Sequence, residues 1–564
     1  MNKAIFLKLL ALTLVIAMAC ILLCACDGND TPKESESESE SVQTPTSDVP
    51  TLVRDGEPQY AIIMPSKANA PIKSSINTFA KQLGALFNTT FSTFSHEMFA
   101  PEGSKMIYIG ASQNEHMTSL LTGTSYCDTV IDVDADGNIY FGAWSPSAIS
   151  FTTTQFLISI EDMIAKGDKD VTVTEALNRT SNDGSMLNAE IPTLNATEMP
   201  YIFSVRGESR NAYKAAYKSK NEQDWAAYCK MLEDAGFEKV QENRSADYAF
   251  AVYQKGEIML TVDLFVKTEE LIIIVDEGND IVPLKPMSVE KKTEPKLISI
   301  GLEYTGALKG MCYILQASDR SFVIIDSGEG DAELLRRIYD YMKENIPEGE
   351  KPVIRAWFLS HAHGDHINGL NAFATSKYSS LVECHAVYSN NPIEKYQSAY
   401  ENGEYSSRLS KIKASAKALG AEFVTAHTGQ KYYFADIEIS MLGTADDMLT
   451  SDFNDLDEVS LFFSADVNGK RLLFSGDSGA VYIGTYLLKR YTAATLKCDI
   501  CQATSHGVNN TTANDYYKMA APQLYLWPSD LSFYNRHTPN KYIQSDKNAE
   551  IHYSFEGTKV FTLT

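Results

Sequence analysis

Apolar residues recur along this chain in two periods, and the change from one to the other marks its segments. Residues 73–87 carry them at helical spacing, between short β-branched and aromatic runs at 60–64 and 106–109. Runs at 129–133 and 139–141 flank a polar stretch, 134–138, that holds an Asp-Gly pair, which predicts a hairpin. A second helical pattern covers 153–164. These elements predict a small α/β domain over 51–194. From 197 to 292, a helical pattern at 221–235 precedes strand-like runs at 248–253, 257–265 and 270–275. Apolar, aromatic and charged residues are mixed in them without a convergent acid, base or nucleophile, so this part reads as a small α+β accessory domain. The polar, proline-containing stretch 285–296 marks a linker. Beyond it, 297–564 shows short buried-strand runs at 313–315, 322–325, 437–441, 472–474 and 499–503. A further run precedes a six-residue cluster, His361-Ala362-His363-Gly364-Asp365-His366.

The first 50 residues follow neither period. Lys3 and Lys8 precede an apolar stretch at 9–23 that ends in Leu23-Cys24-Ala25-Cys26. The pattern resembles a bacterial lipoprotein signal, with residues 1–25 removed and Cys26 lipidated. Residues 26–50 are rich in Ser, Glu, Thr and Pro, cannot bury a core, and read as a disordered tether. The expected location is therefore the extracytoplasmic face of a bacterial cell membrane, reached through the lipid anchor.

At 564 residues the chain exceeds one core and suggests several domains. Its 44% hydrophobic and 22% charged composition is that of ordinary globular protein. With 49 basic against 73 acidic residues, an extended nucleic-acid surface is disfavoured. A small anionic substrate is not, because a bound dication reverses the local field. Beyond Cys26 the cysteines (Cys127, Cys229, Cys312, Cys384, Cys498 and Cys501) are too scattered for a disulfide framework. Cys498 and Cys501 form a C-x-x-C in a strand-like stretch, where side chains three apart face opposite ways, which argues against metal or redox use.

The six-residue cluster places four metal-ligand side chains in one loop. Other candidates follow strands in the same manner: Asp326-Ser327-Gly328 after 322–325, Ser475-Gly476-Asp477 after 472–474, and Ser505-His506-Gly507 after 499–503. Residues just past the C-terminal ends of strands are where an α/β scaffold gathers its chemistry. Imidazoles and carboxylates suit zinc or a similar first-row divalent ion.

In this order, Asp-x-Gly, His-x-His-x-Asp-His, Gly-Asp and His-Gly, the motifs resemble the metallo-β-lactamase superfamily. The NDLDEVSLFF and RLLFSGDSG stretches are more similar to the hydrolase domain of competence-type DNA-uptake proteins. The resemblance implies an α/β/β/α four-layer sandwich over 297–564, behind the two accessory domains. It implies that His361 and His363 bind one metal, that Asp365, His366 and His506 bind a second, and that Asp477 bridges both. One or two Zn2+ ions are expected, and Mn2+ or Fe2+ suit the same donors. Asp326 is expected to support the loops. His537, in a late His-Thr-Pro segment, corresponds to a histidine that donates to a substrate oxyanion or leaving group. The first domain loosely resembles small domains found ahead of glycoside hydrolase catalytic domains.

One departure stands out. The superfamily supplies a third histidine to the first metal, but the matching place after 437–441 reads Leu442-Gly443-Thr444. His385 and His427 lie elsewhere between the motifs and read as ordinary surface or core histidines. A weak first site, or a single metal, is the expectation. The function implied is a metal-dependent hydrolase in which a metal-bound hydroxide attacks a small or oligomeric ester, a phosphodiester before others, with Asp365 and His537 as catalytic residues. The missing histidine and the extra domains disfavour a β-lactam. The competing reading is an inactive surface lipoprotein that binds a cell-surface glycan or a nucleotide.

Overall fold

Successive residues of the C-terminal strands enter different cores. In the strand Phe322–Ile325, Val323 and Ile325 point into one apolar cluster while Phe322 and Ile324 point into another. The strand Leu524–Trp527 divides in the same way, Leu524 and Leu526 against Tyr525 and Trp527. Strands buried on both faces lose the polar alternation of a surface sheet, which is why they read in sequence as plain apolar runs.

The computed structural model describes residues 51–564 except 113, 125–127, 166–170, 174–176, 178–189, 193, 195–200, 205–212, 278–284, 303–309, 392–406 and 448–455. The expected signal peptide, the tether, Cys26 and Cys127 lie outside the described residues.

Two sheets face one another over the central cluster. The eight-stranded sheet runs Glu422–Thr425, Ala386–Ser389, Val353–Phe358, Phe322–Ile325, Tyr313–Gln316, Lys296–Ser299 and Lys559–Thr562, with Glu383–Cys384 also paired to Val353–Phe358. The seven-stranded sheet runs in chain order from Lys431–Phe434 to Glu550–Tyr553. Helices cover the outer faces. Leu334, Ile338 and Met342 of Ala332–Glu344, with Leu370 and Phe373 of Gly364–Thr375, pack under the first sheet. Tyr516, Tyr517 and Ala520 of Thr511–Ala520 pack under the second. The result is an α/β/β/α sandwich.

Ahead of it, a five-stranded sheet containing Tyr60–Ile63, Lys105–Ile109 and the hairpin Thr129–Val133/Ile139–Ala143 packs on two helices, Ala70–Phe87 and Pro146–Ala165. Asn69 caps the first helix by accepting from Ile72 N at 3.0 Å. The next segment forms a six-stranded antiparallel sheet and the helix Glu222–Asp234, which opens on an Asn221/Asp224 capping box.

This six-stranded sheet is also two-faced. Tyr213, Ala215, Tyr217, Val262 and Ile273 share an apolar cluster with Leu52, Ile76 and Phe141 of the first segment. Phe250, Phe265, Ile272 and Ile274 instead join the outer core of the sandwich. The mixed residue pattern of its strands follows from that position, since the sandwich-facing side carries buried polar contacts as well. Asp247 accepts from Thr492 N at 2.9 Å and Thr495 Oγ1 at 2.7 Å. His427 lies between Asp276 (2.8 Å) and Asp446 (2.6 Å).

The described cysteines are buried and free of disulfides. Contrary to expectation, Cys498 and Cys501 do not face apart. Cys498 precedes the strand Ile500–Gln502, and both belong to one core cluster. A hydrogen bond to Cys501 and burial hold the Cys498 thiol well above its usual range, which suits inert core residues. Among the described residues no helix is long and apolar enough to cross a membrane.

Candidate metal centre

The parallel strands Phe322–Ile325 and Val353–Phe358 end at the same edge of the eight-stranded sheet and deliver Asp326 and Ser360-His361. The helix Gly364–Thr375 starts at once, with His363 at its N-cap and Asp365 and His366 in its first turn. A carboxylate in a first turn is favoured by the helix dipole. Gly369 lets this helix approach the preceding loop, because a Cβ there would stand 1.8 Å from Ser327 O. Ser327 Oγ then donates to His366 O at 2.6 Å.

The seven-stranded sheet answers from the other side. Lys470–Phe474 delivers Asp477 and Ile500–Gln502 delivers His506. Gly476 has φ +51, and a Cβ there would stand 2.7 Å from Ser360 Cβ, so the turn carrying Asp477 needs glycine. Asp326, Ser505 and His506 hold left-handed backbones (φ 53, 48 and 52). Non-glycine residues pay roughly 1–3 kcal/mol each for such conformations, which persist where the surroundings over-determine them.

The side chains meet between the sheets. Asp477 Oδ2 lies 2.9 Å from His506 Nε2 and 3.3 Å from His366 Nε2. Asp365 Oδ2 lies 3.2 Å from His506 Nε2. His361 Nε2 stands 3.0 Å from His363 Nδ1. Three overlapping groups, each with ligand atoms within 4.8 Å of one another, result: His361/His363/Asp457, His361/His366/Asp477 and Asp365/His366/His506. The group of Asp477 shares His361 with one of the others and His366 with the other, and all six residues named from the motifs take part.

Asp457 was not among them. Its Oδ1 lies 2.7 Å from His363 Nδ1 and 3.3 Å from His361 Nε2. It fills the side of the site that the third histidine was expected to serve. It arrives from the 3-10 turn Leu456–Val459 rather than from the loop after Ile437–Gly443. The signal was present in the NDLDEVSLFF stretch, whose Ser460 also bonds His361 Nδ1 at 3.2 Å.

A family model for the metallo-β-lactamase superfamily matches residues 305–401, the stretch that holds the histidine loop. The chain carries a metallo-β-lactamase superfamily domain. With that domain comes the expected enzyme class, a metal-dependent hydrolase. Among solved structures, a Parabacteroides distasonis protein named as a metal-dependent hydrolase is 12% identical over 56% of this chain and 98% of its own, with a TM-score of 0.24. A metallo-β-lactamase from Erythrobacter litoralis is 12% identical over 42% of this chain and 73% of its own, with a TM-score of 0.15. No curated protein matches the chain.

In this metallo-β-lactamase-type site the outer contacts select the donor atoms. His366 Nδ1 is held by Asp326 Oδ2 at 2.7 Å, and the same carboxylate accepts from Ser360 N at 2.6 Å and Ser360 Oγ at 2.8 Å. His506 Nδ1 meets Pro528 O at 2.7 Å, and His361 Nδ1 meets Ser360 Oγ at 3.0 Å. Each ring is thereby turned to present Nε2 inward. His366 Nε2 and Asp477 Oδ1 are buried without a hydrogen-bond partner. Orphaned atoms of that kind are costly unless something else satisfies them, and the donor set around them fits divalent metal ions.

The electrostatics point the same way. Burial would raise Asp477, but His506 and His366 hold its carboxyl well below the usual range. Burial opposes the charge on His366 and His506 too, yet Asp477 and Asp365 raise both well above an ordinary imidazole. Burial, then the neighbouring His366, lowers His361. Histidines and carboxylates packed so closely stabilise one another's charge, and a bound dication would take over that role.

The remaining candidates lie apart from the donor groups. His537 is exposed; its ring stacks on Phe533 at 4.0 Å between centroids, and Phe533 packs edge-on against His506 at 5.3 Å. It therefore stands at the rim rather than among the ligands. His385 is at the surface beside Glu383, and His427 is sealed between Asp276 and Asp446.

Proposed function

We propose that this protein is an extracytoplasmic, lipid-anchored hydrolase that cleaves an ester-type bond, a phosphodiester before others, at a two-metal centre. One observation carries the reading: seven donors from both sheets converge, with Asp477 central to them. His361, His363 and Asp457 would hold the first ion, Asp365, His366 and His506 the second, and Asp477 both. Two imidazoles and a carboxylate accept Zn2+, and equally Mn2+ or Fe2+. Bound metal would supply Lewis-acid polarisation of the scissile centre and acidify water near neutral pH.

The protein's own side chains then perform the rest. Asp365, kept ionised by His366 and His506 in spite of its burial, accepts a proton released in the attack. Asp326 fixes the ring of His366. His537, stacked on Phe533 at the rim, donates a hydrogen bond toward the leaving group. A phosphodiester would suit this arrangement because two bound dications would offset its non-bridging negative charge. The similarity of the NDLDEVSLFF stretch to competence-type hydrolases supports the same choice. The extracytoplasmic, lipid-anchored placement rests on the Cys26 signal.

A substrate panel on the metal-loaded full chain tests the proposal. Turnover of bis-p-nitrophenyl phosphate well above that of a lactone or nitrocefin, and its loss in His363→Ala, is the expected result. Preferential lactone or nitrocefin hydrolysis would overturn the phosphodiester assignment. Turnover indifferent to His363→Ala would remove the reaction from this site.

A further inference from the structure

A cavity of about 440 Å³ opens where the six-stranded sheet meets the helical run Ala480–Arg490. In the strand Tyr213–Tyr217, the odd positions face the N-terminal core, so Lys214 and Ala216, followed by Lys218, line the cavity together. The helical run contributes Lys489 and Arg490, along with Thr485 and Tyr486 from its π-helical stretch Ile483–Leu487. Such π-helical insertions frequently coincide with functional sites.

The lining charge is anomalous. Lys214, Lys218, Lys489 and Arg490 face only Glu270 and Asp447, four cations against two anions, in a chain of net charge −24. Arg490 is satisfied by Asp447 at 2.5 Å and Glu270 at 3.3 Å, and Lys218 pairs with Glu270. Lys214 is only partly satisfied. Its side chain is 2% exposed, and its ammonium donates to Asp446 O at 2.7 Å. Among the described residues it forms no ion pair. An ammonium has three N–H donors, and a buried charge without a counter-ion is among the costliest features of an interior. Burial, with Arg490 adding repulsion against the attraction of Asp447 and Asp446, lowers its pKa to about 8. The fold therefore keeps an underused cation at the wall of a cavity that is already net positive.

We propose that this cavity binds the phosphate-monoester group of a small ligand, with the Lys214 ammonium as its buried anchor. A dianion matches the excess of two positive charges, and Lys218 and Lys489, both exposed, are placed to close over it. None of the residues lining the cavity belongs to the donor groups around Asp477. The ligand held here is thus not at the hydrolytic centre, and the site does not depend on the reaction proposed above.

Isothermal titration of the metal-loaded full chain with inorganic phosphate tests the assignment. Phosphate is expected to bind saturably in the wild type and in Asp477→Ala. Binding should weaken at least tenfold in Lys214→Met and in the surface double variant Lys218→Glu/Lys489→Glu, which leaves the buried wall intact. Phosphate affinity unchanged in that double variant would overturn the proposal. So would binding that disappears in Asp477→Ala, which would place the anion at the metal centre, or equal displacement by chloride at matched concentration.

Discussion

Replacing Asp457 by alanine removes a donor that the histidine motif alone does not reveal. Its Oδ1 stands 2.7 Å from His363 Nδ1 and 3.3 Å from His361 Nε2, inside a group whose ligand atoms span no more than 4.8 Å. The change deletes one of the four donors assigned to the first ion, together with its negative charge. Groups that merely orient a ligand already cost about 10–100-fold in metal affinity when removed. A direct donor should cost at least the upper figure, about 100-fold or ~2.7 kcal/mol. The second group, Asp365/His366/His506, shares no residue with the change and should keep its affinity. Zn2+ titration of the apoprotein against a chromophoric chelator separates the two sites. The wild type should show two tight equivalents, and Asp457→Ala one tight and one weakened by that factor. Asp457→His, which returns the imidazole used elsewhere in the superfamily, should retain both. Two unchanged equivalents in Asp457→Ala would refute the assignment.

Three further outcomes follow from the same geometry. Burial lowers the His427 pKa, but Asp446 and Asp276 together raise it to about 9. Against an unfolded value near 6.5, its pairing contributes about 3 kcal/mol below pH 6.5 that is lost as pH rises through 9. The melting temperature should accordingly fall across that window in the wild type and run flatter in His427→Gln; equal slopes would contradict this. Asp326→Asn should leave the fold intact and weaken the second metal by roughly 10–100-fold, since it only orients His366; undiminished metal affinity would show that Asp326 does not orient the ring. Gly369→Ala would place its Cβ 1.8 Å from Ser327 O, so a loss of about 1–3 kcal/mol in denaturant unfolding is expected, and an unchanged midpoint would refute the close approach.

What could be read from the sequence divides along physical lines. Strand ends such as Phe322–Ile325 and Lys470–Phe474 are legible because apolar runs stop abruptly at polar, glycine-containing loops. The residues carried by those loops are legible with them. Asp457 was missed because it rides on a short 3-10 turn with no periodic pattern, and the resemblance of the NDLDEVSLFF stretch did not say which of its carboxylates turns toward the histidines. The six-stranded sheet was harder for another reason. Both of its faces are buried, yet buried charged residues such as Lys214, Asp263 and Asp276 stand on its strands among the apolar ones. Its polar contacts, Asp247 with Thr492 and His427 with Asp276, pair residues 245 and 151 positions apart. Cys498 and Cys501 mislead in the same way: the rule for opposite faces holds inside a strand, and Cys498 lies just before one.

The central claim is that the residues gathered around Asp477 hold two metal ions that carry out hydrolysis. The most direct measurement combines elemental analysis of metal per chain with bis-p-nitrophenyl phosphate turnover, on the same preparations of wild type and Asp477→Ala. Two metal equivalents with chelator-sensitive turnover in the wild type, and loss of both occupancy and at least 100-fold in turnover in the variant, are the predicted results (about 2.7 kcal/mol). A wild-type protein that holds no metal, or an Asp477→Ala variant that keeps full metal content and full turnover, would contradict it.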